Sequence, residues 1–160
     1  MNEMITKPRI PVIELNTSSV GIAQLKRREG LRLHAYEDQG GTRTIGYGHT
    51  YGVKAHEFIT EERATDLLHS DLSHVENTLK HDVTVGLYWY EFDALASFVF
   101  NIGAQGFERS TVLKYLNRGL YRDAAMHMTS WSKVGGKLNK GLWQRRKDEV
   151  RQFCNDPTVI

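Results

Sequence analysis

The feature that most constrains the fold is a long apolar stripe that begins after Thr60. Glu61 and Glu62 follow Thr60, which is typical of a helix start, because threonine caps the first backbone amides and acids favour the positive end of the helix dipole. The stripe runs at helical spacing over about five turns. Its members are Ala64, Leu67, Leu68, Leu72, Val75 and Leu79. This is the longest helix that the sequence predicts, and it separates a β-containing segment from everything after it.

A shorter helix precedes the β-containing segment. We predict that it spans residues 18–28, from a capping serine to a glycine at position 30, where glycine commonly ends a helix. Ile22, Leu25 and Glu29 fall on one face of this helix. The carboxyl group of Glu29 is therefore expected on the apolar face and not in solvent.

A β hairpin is predicted directly after this helix. Residues 31–36 alternate apolar and polar side chains, as a half-buried strand does. A glycine-rich turn follows at 38–41 with Asp38 at its bend, and residues 42–47 form the returning strand. An alternating strand and a turn thus separate two carboxyl groups, those of Glu29 and Asp38, which is one way to face two acids across a cleft.

The rest of the chain is predicted to be helical. Residues 90–104 are apolar nearly all round, which indicates a helix buried at the centre of a domain. Three further helices are predicted: one from Ser110 to about Asn117, one over 121–131 and one over 141–154. The fold class is therefore α+β, with a small lobe that holds the hairpin, a larger all-helical lobe, and a long helix that joins them. The cleft between the lobes is the natural ligand site.

The predicted domain is single and bounded by short terminal segments. Residues 1–17 hold two of the three prolines and no helical period, so we expect an arm there. The folded domain is expected over 18–155, with the small lobe at 18–59, the long helix and helical lobe at 60–155, and a tail at 156–160. With 160 residues, the chain is long enough to bury a real core, and a monomer is the default expectation.

Composition excludes several classes of protein. A net charge of +2 helps at an anionic surface but is too weak to indicate nucleic acid. Cys154 is the only cysteine, so no internal disulfide and no cysteine zinc site can form. His56-Glu57 begins like a zinc-protease motif, but the fifth position is Thr60, so we expect no metal. No apolar run is long enough for a stable membrane anchor, and residues 1–17 lack the apolar centre of an export signal.

Glu29, Asp38 and Thr44 form the candidate site. Hydrolysis of a glycosidic bond needs a protonated acid at the leaving oxygen and a second carboxylate across the sugar ring. Burial suits Glu29 for the first role, whereas Asp38, in a solvated turn, should stay ionised. The hydroxyl of Thr44 would help Asp38 to hold a water molecule. The alternative is structural: Glu29 pairs with Arg28 or Arg32, Asp38 shapes the turn, and Thr44 is an ordinary strand residue.

The stretch EGLRLHAYED, followed by TIGYGH, closely resembles the phage-type lysozymes (endolysins) of glycoside hydrolase family 24. The resemblance covers about residues 18–154. It continues in ALASFVFNIG at 94–103, GFERSTVLKYLN at 106–117, Trp131 and GLWQRRKDE at 141–149. It implies that Glu29 is the general acid and that Asp38 and Thr44 orient the attacking water. The bond cleaved would be the β-1,4 bond between N-acetylmuramic acid and N-acetylglucosamine in peptidoglycan, with inversion and without a cofactor.

The resemblance also suggests substrate contacts and a route to the substrate. It implies that Phe100 lies at the floor of the cleft and that Ser110 touches the glycan, although Ser110 is first of all a helix cap and Phe100 a core residue. Some relatives carry an apolar anchor at the N-terminus, which is not found here. Synthesis in the host cytoplasm, release through a holin-type pore and action in the periplasm are therefore expected, leading to cell lysis and phage release.

Two departures from the family pattern and one aromatic run stand out. Arg28 occupies a position where the family commonly has an aromatic residue before Glu-Gly, and Thr42-Arg43 replaces a more apolar pair. Residues 88–90, Tyr-Trp-Tyr, are expected to pack inward at a helix entry; an exposed platform for sugar stacking is the alternative. Finally, Arg145 or Arg146 is expected to reach Glu29 across the cleft or to lie on a solvated face.

Three rival functions remain open at this point. A lytic transglycosylase needs only one acid, so Asp38 and Thr44 speak against it. A catalytically inactive glycan-binding module should have lost one of the acids, and neither is lost. An antibacterial toxin should carry a receptor-binding segment, for which 17 residues are too few. We also expect His49 to form a structural hydrogen bond with a carboxylate on the long helix, namely Asp71.

Overall fold

The computed structural model describes residues 7–155 and has two hydrophobic cores joined by one long helix. Within these residues it contains seven α-helices and two β hairpins. The helices are α1 (Ser19–Glu29), α2 (Glu61–Asp82), α3 (Trp89–Ile102), α4 (Ala104–Glu108), α5 (Thr111–Asn117), α6 (Tyr121–Met128) and α7 (Lys140–Cys154). The strands are β1 (Arg32–Glu37), β2 (Arg43–Gly46), β3 (Lys133–Val134) and β4 (Lys137–Leu138). The predicted α+β class is confirmed, with one hairpin in a small lobe and the other helices in a larger lobe.

The predicted long helix is α2, which contributes to both cores. Thr60 caps it, because the Thr60 hydroxyl accepts a hydrogen bond from the amide of Arg63. Leu68 and its neighbours in the first half pack into the small-lobe core, while Leu79 near the end packs into the helical-lobe core. A helix of 22 residues is about 33 Å long, which is enough to pass from one lobe to the other.

The small lobe is built around the first hairpin. Strands β1 and β2 pair antiparallel, with Tyr36 opposite Thr44, and the register shifts between Arg32 and Tyr36. The far edge of β1 is also occupied, since the amide of Ala35 donates to the carbonyl of Glu57. Ile45 of β2 packs with Leu25 of α1 and Leu68 of α2 in the small-lobe core, and the turn at 38–41 lies at the outer end of the hairpin.

Helix α3 forms the centre of the helical lobe, as its apolar composition predicts. Nine consecutive residues, 91–99, are buried. Two of them are acids with partners from the N-terminal part of the chain: Glu91 accepts from Arg9 at 2.9 Å, and Asp93 accepts from the amide of Ser18 at 2.8 Å. Burial, opposed by the hydrogen bonds from Ser18, raises the pKa of Asp93.

The segment before α1 packs against the helical lobe. A single turn of 3-10 helix at Val12–Glu14 turns the side chains of Val12 and Leu15 into the core, and the backbone of Ile10 pairs with that of Leu87. The sequence predicts an N-terminal arm over residues 1–17. Within its described part, Val12 and Leu15 pack into the core of the helical lobe. Residues 1–6 of the arm and the tail at 156–160 lie outside the described residues, and the division of the chain at position 18 remains a prediction.

Three local details differ from the sequence prediction. The helix predicted over 121–131 ends at Met128. The short helix α4 and the hairpin β3–β4 were not predicted, because five-residue helices and two-residue strands are too short to show a period. Gly135 and Gly136 both have positive φ, as the two-residue turn of a tight hairpin requires. Across residues 7–155, no helix combines the length and apolarity that a membrane crossing requires.

Candidate active site

Glu29 is the last residue of α1. Its side chain lies between α7 and the loop that follows β2 and carries Gly48. Its side chain is only 14% exposed. On one side, Oε2 accepts a hydrogen bond of 2.6 Å from Nη1 of Arg145. On the other side lies Gly48, where an added Cβ atom would come within 2.5 Å of Oε1. Within the described residues Oε1 accepts no hydrogen bond, so one carboxyl oxygen is anchored and the other is available.

Arg145, and not Arg146, is the arginine that reaches Glu29. Besides Glu29, its guanidinium donates to Glu149 at 3.2 Å and to the carbonyl of Ser97 at 3.1 Å. Burial lowers the pKa of Arg145, but the charges and hydrogen bonds of Glu29 and Glu149 outweigh burial, so the pKa is raised overall. Arg146 instead donates to Glu149, to Asn101 and to the carbonyl of Trp131.

A buried polar cluster beneath the site holds Arg145 in place. Glu149 is completely buried and accepts hydrogen bonds from Arg145, from Arg146 and from the Ser97 hydroxyl at 2.6 Å. Arg28 joins the same cluster, since its Nη1 donates to Ser97 at 3.1 Å. Breaking one partner of a buried ion pair typically costs about 3–5 kcal/mol, which makes this cluster a rigid support for the carboxyl group of Glu29.

The side chains of Asp38 and Thr44 both form hydrogen bonds with the backbone of Thr42 in the hairpin. Oδ1 of Asp38 accepts from the amide of Thr42 at 2.8 Å and from that of Gly40 at 2.9 Å. The Thr44 hydroxyl donates to the Thr42 carbonyl at 2.9 Å. Asp38 therefore does shape its turn, as the structural alternative holds, yet within the described residues its Oδ2 accepts no hydrogen bond and the residue is exposed. Thr44 is buried, at 3% exposure.

Tyr36 lies on β1 opposite Thr44 and was not among the predicted site residues. Burial raises its pKa, Arg32 opposes this, and the charges of both Glu29 and Asp38 raise it further. Its ring therefore lies within electrostatic reach of both carboxyl groups, while the Arg32 guanidinium sits 4.3 Å from the ring centroid. From the sequence, the one signal for Tyr36 would have been its place opposite Thr44 in the predicted hairpin.

A cavity of about 210 Å³ opens beside Gly48. Phe100 lines it together with Tyr51 and His74, so Phe100 lies next to the loop that touches Glu29. Ser110 is 3% exposed and caps α5: its hydroxyl donates to the Phe107 carbonyl and accepts from the Leu113 amide. The contacts of Phe100 and Ser110 with substrate stay predictions.

His49 has the structural role that the sequence predicts. Its Nδ1 lies 2.8 Å from Oδ2 of Asp71 on α2, and its Nε2 lies 2.7 Å from the carbonyl of Tyr51. These contacts fix the loop that carries Gly48 to the long helix. Across residues 7–155, no group of three or more histidine, cysteine or acidic side chains is arranged to hold a metal ion.

Comparison with known proteins gives one consistent answer. The sequence profile described as phage lysozyme matches residues 26–149. The endolysin of Acyrthosiphon pisum secondary endosymbiont phage 1 is 41% identical over 143 residues, which is 87% of this chain and 98% of that protein. Crystallised P22 lysozyme, in a mutant form, is 41% identical with a TM-score of 0.75, covering 88% of this chain and 99% of its own. The muramidase domain of SpmX from Asticaccaulis excentricus is 35% identical with a TM-score of 0.80, covering 88% and 98%.

Proposed function

Because the chain belongs to the phage lysozyme family, we propose that it cleaves the β-1,4 bond between N-acetylmuramic acid and N-acetylglucosamine in peptidoglycan, with inversion. Membership of the family makes the chain a lysozyme-type hydrolase and an endolysin that acts on peptidoglycan. The choice of bond follows the relative that is a muramidase domain. The residue roles come from the family resemblance, and the geometry around Glu29 and Asp38 supports them.

Glu29 is the general acid in this proposal. Arg145 holds Oε2 from one side, so the transferable proton resides on Oε1, the oxygen that faces the Gly48 loop. From there it passes to the glycosidic oxygen of the leaving sugar as the bond breaks. The observation that carries the proposal is this half-anchored carboxyl group: Arg145 holds Oε2, whereas Oε1 accepts no hydrogen bond within the described residues.

Asp38 and Thr44 position the water in the proposed reaction. The free Oδ2 of Asp38 accepts a proton from the water as its oxygen attacks the anomeric carbon from the face opposite the leaving group. Thr44 donates to the carbonyl of Thr42, and the amide of the same residue donates to Oδ1 of Asp38. The hairpin thus orients Asp38 through its backbone, and the sugar rings lie along the cavity floor beside Phe100.

The route to the substrate is also part of the proposal. The enzyme is made in the host cytoplasm and reaches the periplasmic face of the cell wall through a holin-type pore, where it acts as a monomer on the glycan strands. No nucleic acid, stable membrane anchor or cofactor enters this scheme. Cell lysis and phage release follow when the wall is cut.

The test is the clearing of chloroform-permeabilised Gram-negative cells by wild type and by Glu29→Gln. The amide keeps the shape and can still accept from Arg145 but cannot give a proton, so the clearing rate should fall at least about 100-fold. Glu37→Gln is the matched control, because Glu37 is an exposed acid at the end of β1. Circular dichroism at the assay temperature checks that every variant is folded.

The outcomes separate the rival functions. Equal clearing by wild type and Glu29→Gln would refute the role of Glu29. No clearing by either protein, with retained binding to cell walls, would favour a glycan-binding module. Mass spectrometry of the wild-type products should show reducing sugars with water added across the bond; 1,6-anhydro ends would instead identify a lytic transglycosylase.

A further inference from the structure

A second recess lies on the molecule between α1, the start of α3 and the C-terminal half of α7. Its volume is about 700 Å³, within the range of small-molecule sites. We call it the arginine groove and define it by six of its lining residues: Arg27, Arg28, Trp89, Tyr90, Asp148 and Arg151. The proposed cleavage reaction uses none of these side chains to touch the substrate.

The charge of the arginine groove is unbalanced. Three guanidinium groups line it, and Asp148 is its single carboxylate among the described residues. Asp148 is shared, since its Oδ1 accepts from Arg151 at 3.2 Å and from Gln144 at 3.0 Å. Arg27 makes no ion pair or hydrogen bond through its side chain within residues 7–155 and is exposed. An anion entering the groove would therefore meet an excess of positive charge.

The guanidinium groups also keep unused donors. The Nε of Arg151 is buried and has no hydrogen-bond partner within the described residues. Arg28 donates only through Nη1, to Ser97 and to Gln152 at 2.7 Å. A buried donor without a partner costs about 1–3 kcal/mol, and guanidinium donors suit the paired oxygens of a phosphate or carboxylate.

An aromatic surface adjoins these donors. Trp89 is the first residue of α3 and is 48% exposed, so the expectation that it packs inward is wrong. Its ring meets Tyr90 edge-on, with centroids 5.5 Å apart, which fixes the indole orientation. An indole face is a surface on which the C–H face of a sugar ring stacks. Arg28, the departure from the family pattern, lies in the same groove.

We propose that the arginine groove is a second, non-catalytic site that binds an acidic saccharide. The acid, a phosphate or a carboxylate, lies on the guanidinium groups of Arg27, Arg28 and Arg151, which line the groove. The sugar ring stacks on Trp89. A lipid surface fits less well, because Arg28 is half-buried within the recess, where the headgroups of a flat bilayer do not reach it.

The test follows the indole N–H of Trp89 by NMR in the full chain, with N-acetylglucosamine 6-phosphate as the probe. Neutral N-acetylglucosamine and inorganic phosphate should each bind at least about tenfold more weakly, since each supplies only half of the recognition. Glucuronate serves as a second probe. Binding of glucuronate as tight as that of the phosphosugar would identify carboxylate acids as ligands, and weaker binding would identify phosphates.

Matched variants locate the binding. Arg27→Gln and Arg151→Gln should each weaken binding of the phosphosugar about tenfold, because each removes a charged hydrogen bond. Arg122→Gln, an exposed arginine on α6, should leave it unchanged. Clearing of cells should stay at the wild-type rate in all three variants, and Glu29→Gln should bind the probe normally. Probe binding thus tests the arginine groove and cell clearing tests the proposed cleavage, so either proposal can fail without the other.

Several results would overturn the proposal. They are the absence of any shift of the Trp89 signal, equal binding of inorganic phosphate and phosphosugar, and unchanged binding in Arg27→Gln. A fourth such result concerns phosphatidylglycerol vesicles. The wild-type protein would sediment with them, Arg27→Gln and Trp89→Ala would not, and the phosphosugar would leave the Trp89 signal unmoved. That result would assign the surface to an anionic membrane instead.

Discussion

At the scale of single residues, the site depends on the close approach of Gly48 to Glu29. Gly48 has φ of +74°, and a Cβ atom there would lie 2.5 Å from Oε1, the oxygen that carries the proton in the proposed mechanism. Any side chain at this position would push the carboxyl group away from its place over Arg145. Glycine is therefore needed both for the backbone and for the chemistry.

Gly48→Ala should lose lytic activity as well as stability. Gly52→Ala is the matched control, because Gly52 lies in the same loop with φ of +67° and open space where the Cβ atom would be. Both variants should lose about 1–2 kcal/mol in urea unfolding, the usual strain of a side chain at positive φ. Only Gly48→Ala should also slow cell clearing, by about tenfold or more. Equal clearing by the two variants would show that Glu29 tolerates displacement.

At the scale of elements, the start of α1 is tied to the centre of α3. The Ser18 hydroxyl accepts from the amide of Gly21 at 3.1 Å, capping α1, and also donates to Asp93. The cap of α2 is simpler, because the Thr60 hydroxyl accepts from the amide of Arg63. The helix that carries Glu29 is thus anchored to the helical lobe at its N-cap, Ser18.

Ser18→Ala should therefore destabilise the protein more than Thr60→Ala does. Thr60→Ala should lose about 1 kcal/mol, as caps usually do, with little dependence on pH. Because the folded pKa of Asp93 is raised, its contribution to stability is present at acid pH and is lost as pH rises through that pKa. Removing the Ser18 hydroxyl raises that pKa further, so the extra loss should be largest at neutral pH and shrink on acidification. Urea unfolding at several pH values measures this, and a pH-independent loss would contradict it.

At the scale of the whole molecule, the hairpin and α7 touch at one polar contact. Nδ2 of Asn139, the cap of α7, donates to Oε1 of Gln39 at the hairpin turn, at 3.0 Å. Both side chains belong to segments that carry parts of the site, since Asp38 precedes Gln39 and Arg145 lies on α7. The contact therefore joins the hairpin turn directly to the start of α7.

Gln39→Ala should speed cell clearing at the cost of at most about 1.5 kcal/mol of stability, the upper net contribution of such a hydrogen bond. Loss of the bond should ease separation of the hairpin turn from the start of α7 by at most about tenfold, and with it the entry of glycan. Gln105→Ala, at an exposed glutamine on α4, is the control. Initial clearing rates and urea unfolding are the measurements. Slower clearing in Gln39→Ala alone would instead mean that Gln39 binds the glycan.

The sequence by itself determined the features that depend on neighbours along the chain. Helix caps at Ser18 and Thr60, the stripe of α2 and the hairpin all follow from local periodicity and turn chemistry, and the pairing of His49 with Asp71 was also predicted. Glu29 was placed on the apolar face of α1 because its helical phase is set by Ile22 and Leu25. The family, too, could be identified, because the motif around Glu29 is contiguous.

The tertiary structure decided what depends on residues far apart in the chain. Arg145 and Glu29 are 116 positions apart, and adjacent side chains of a helix point about 100° apart, so only the packing of α7 determines that Arg145 and not Arg146 reaches Glu29. The same holds for the burial of Val12 and Leu15 and for the arginine groove. Each of these arises where separate elements meet, and local pattern contains no information about that meeting.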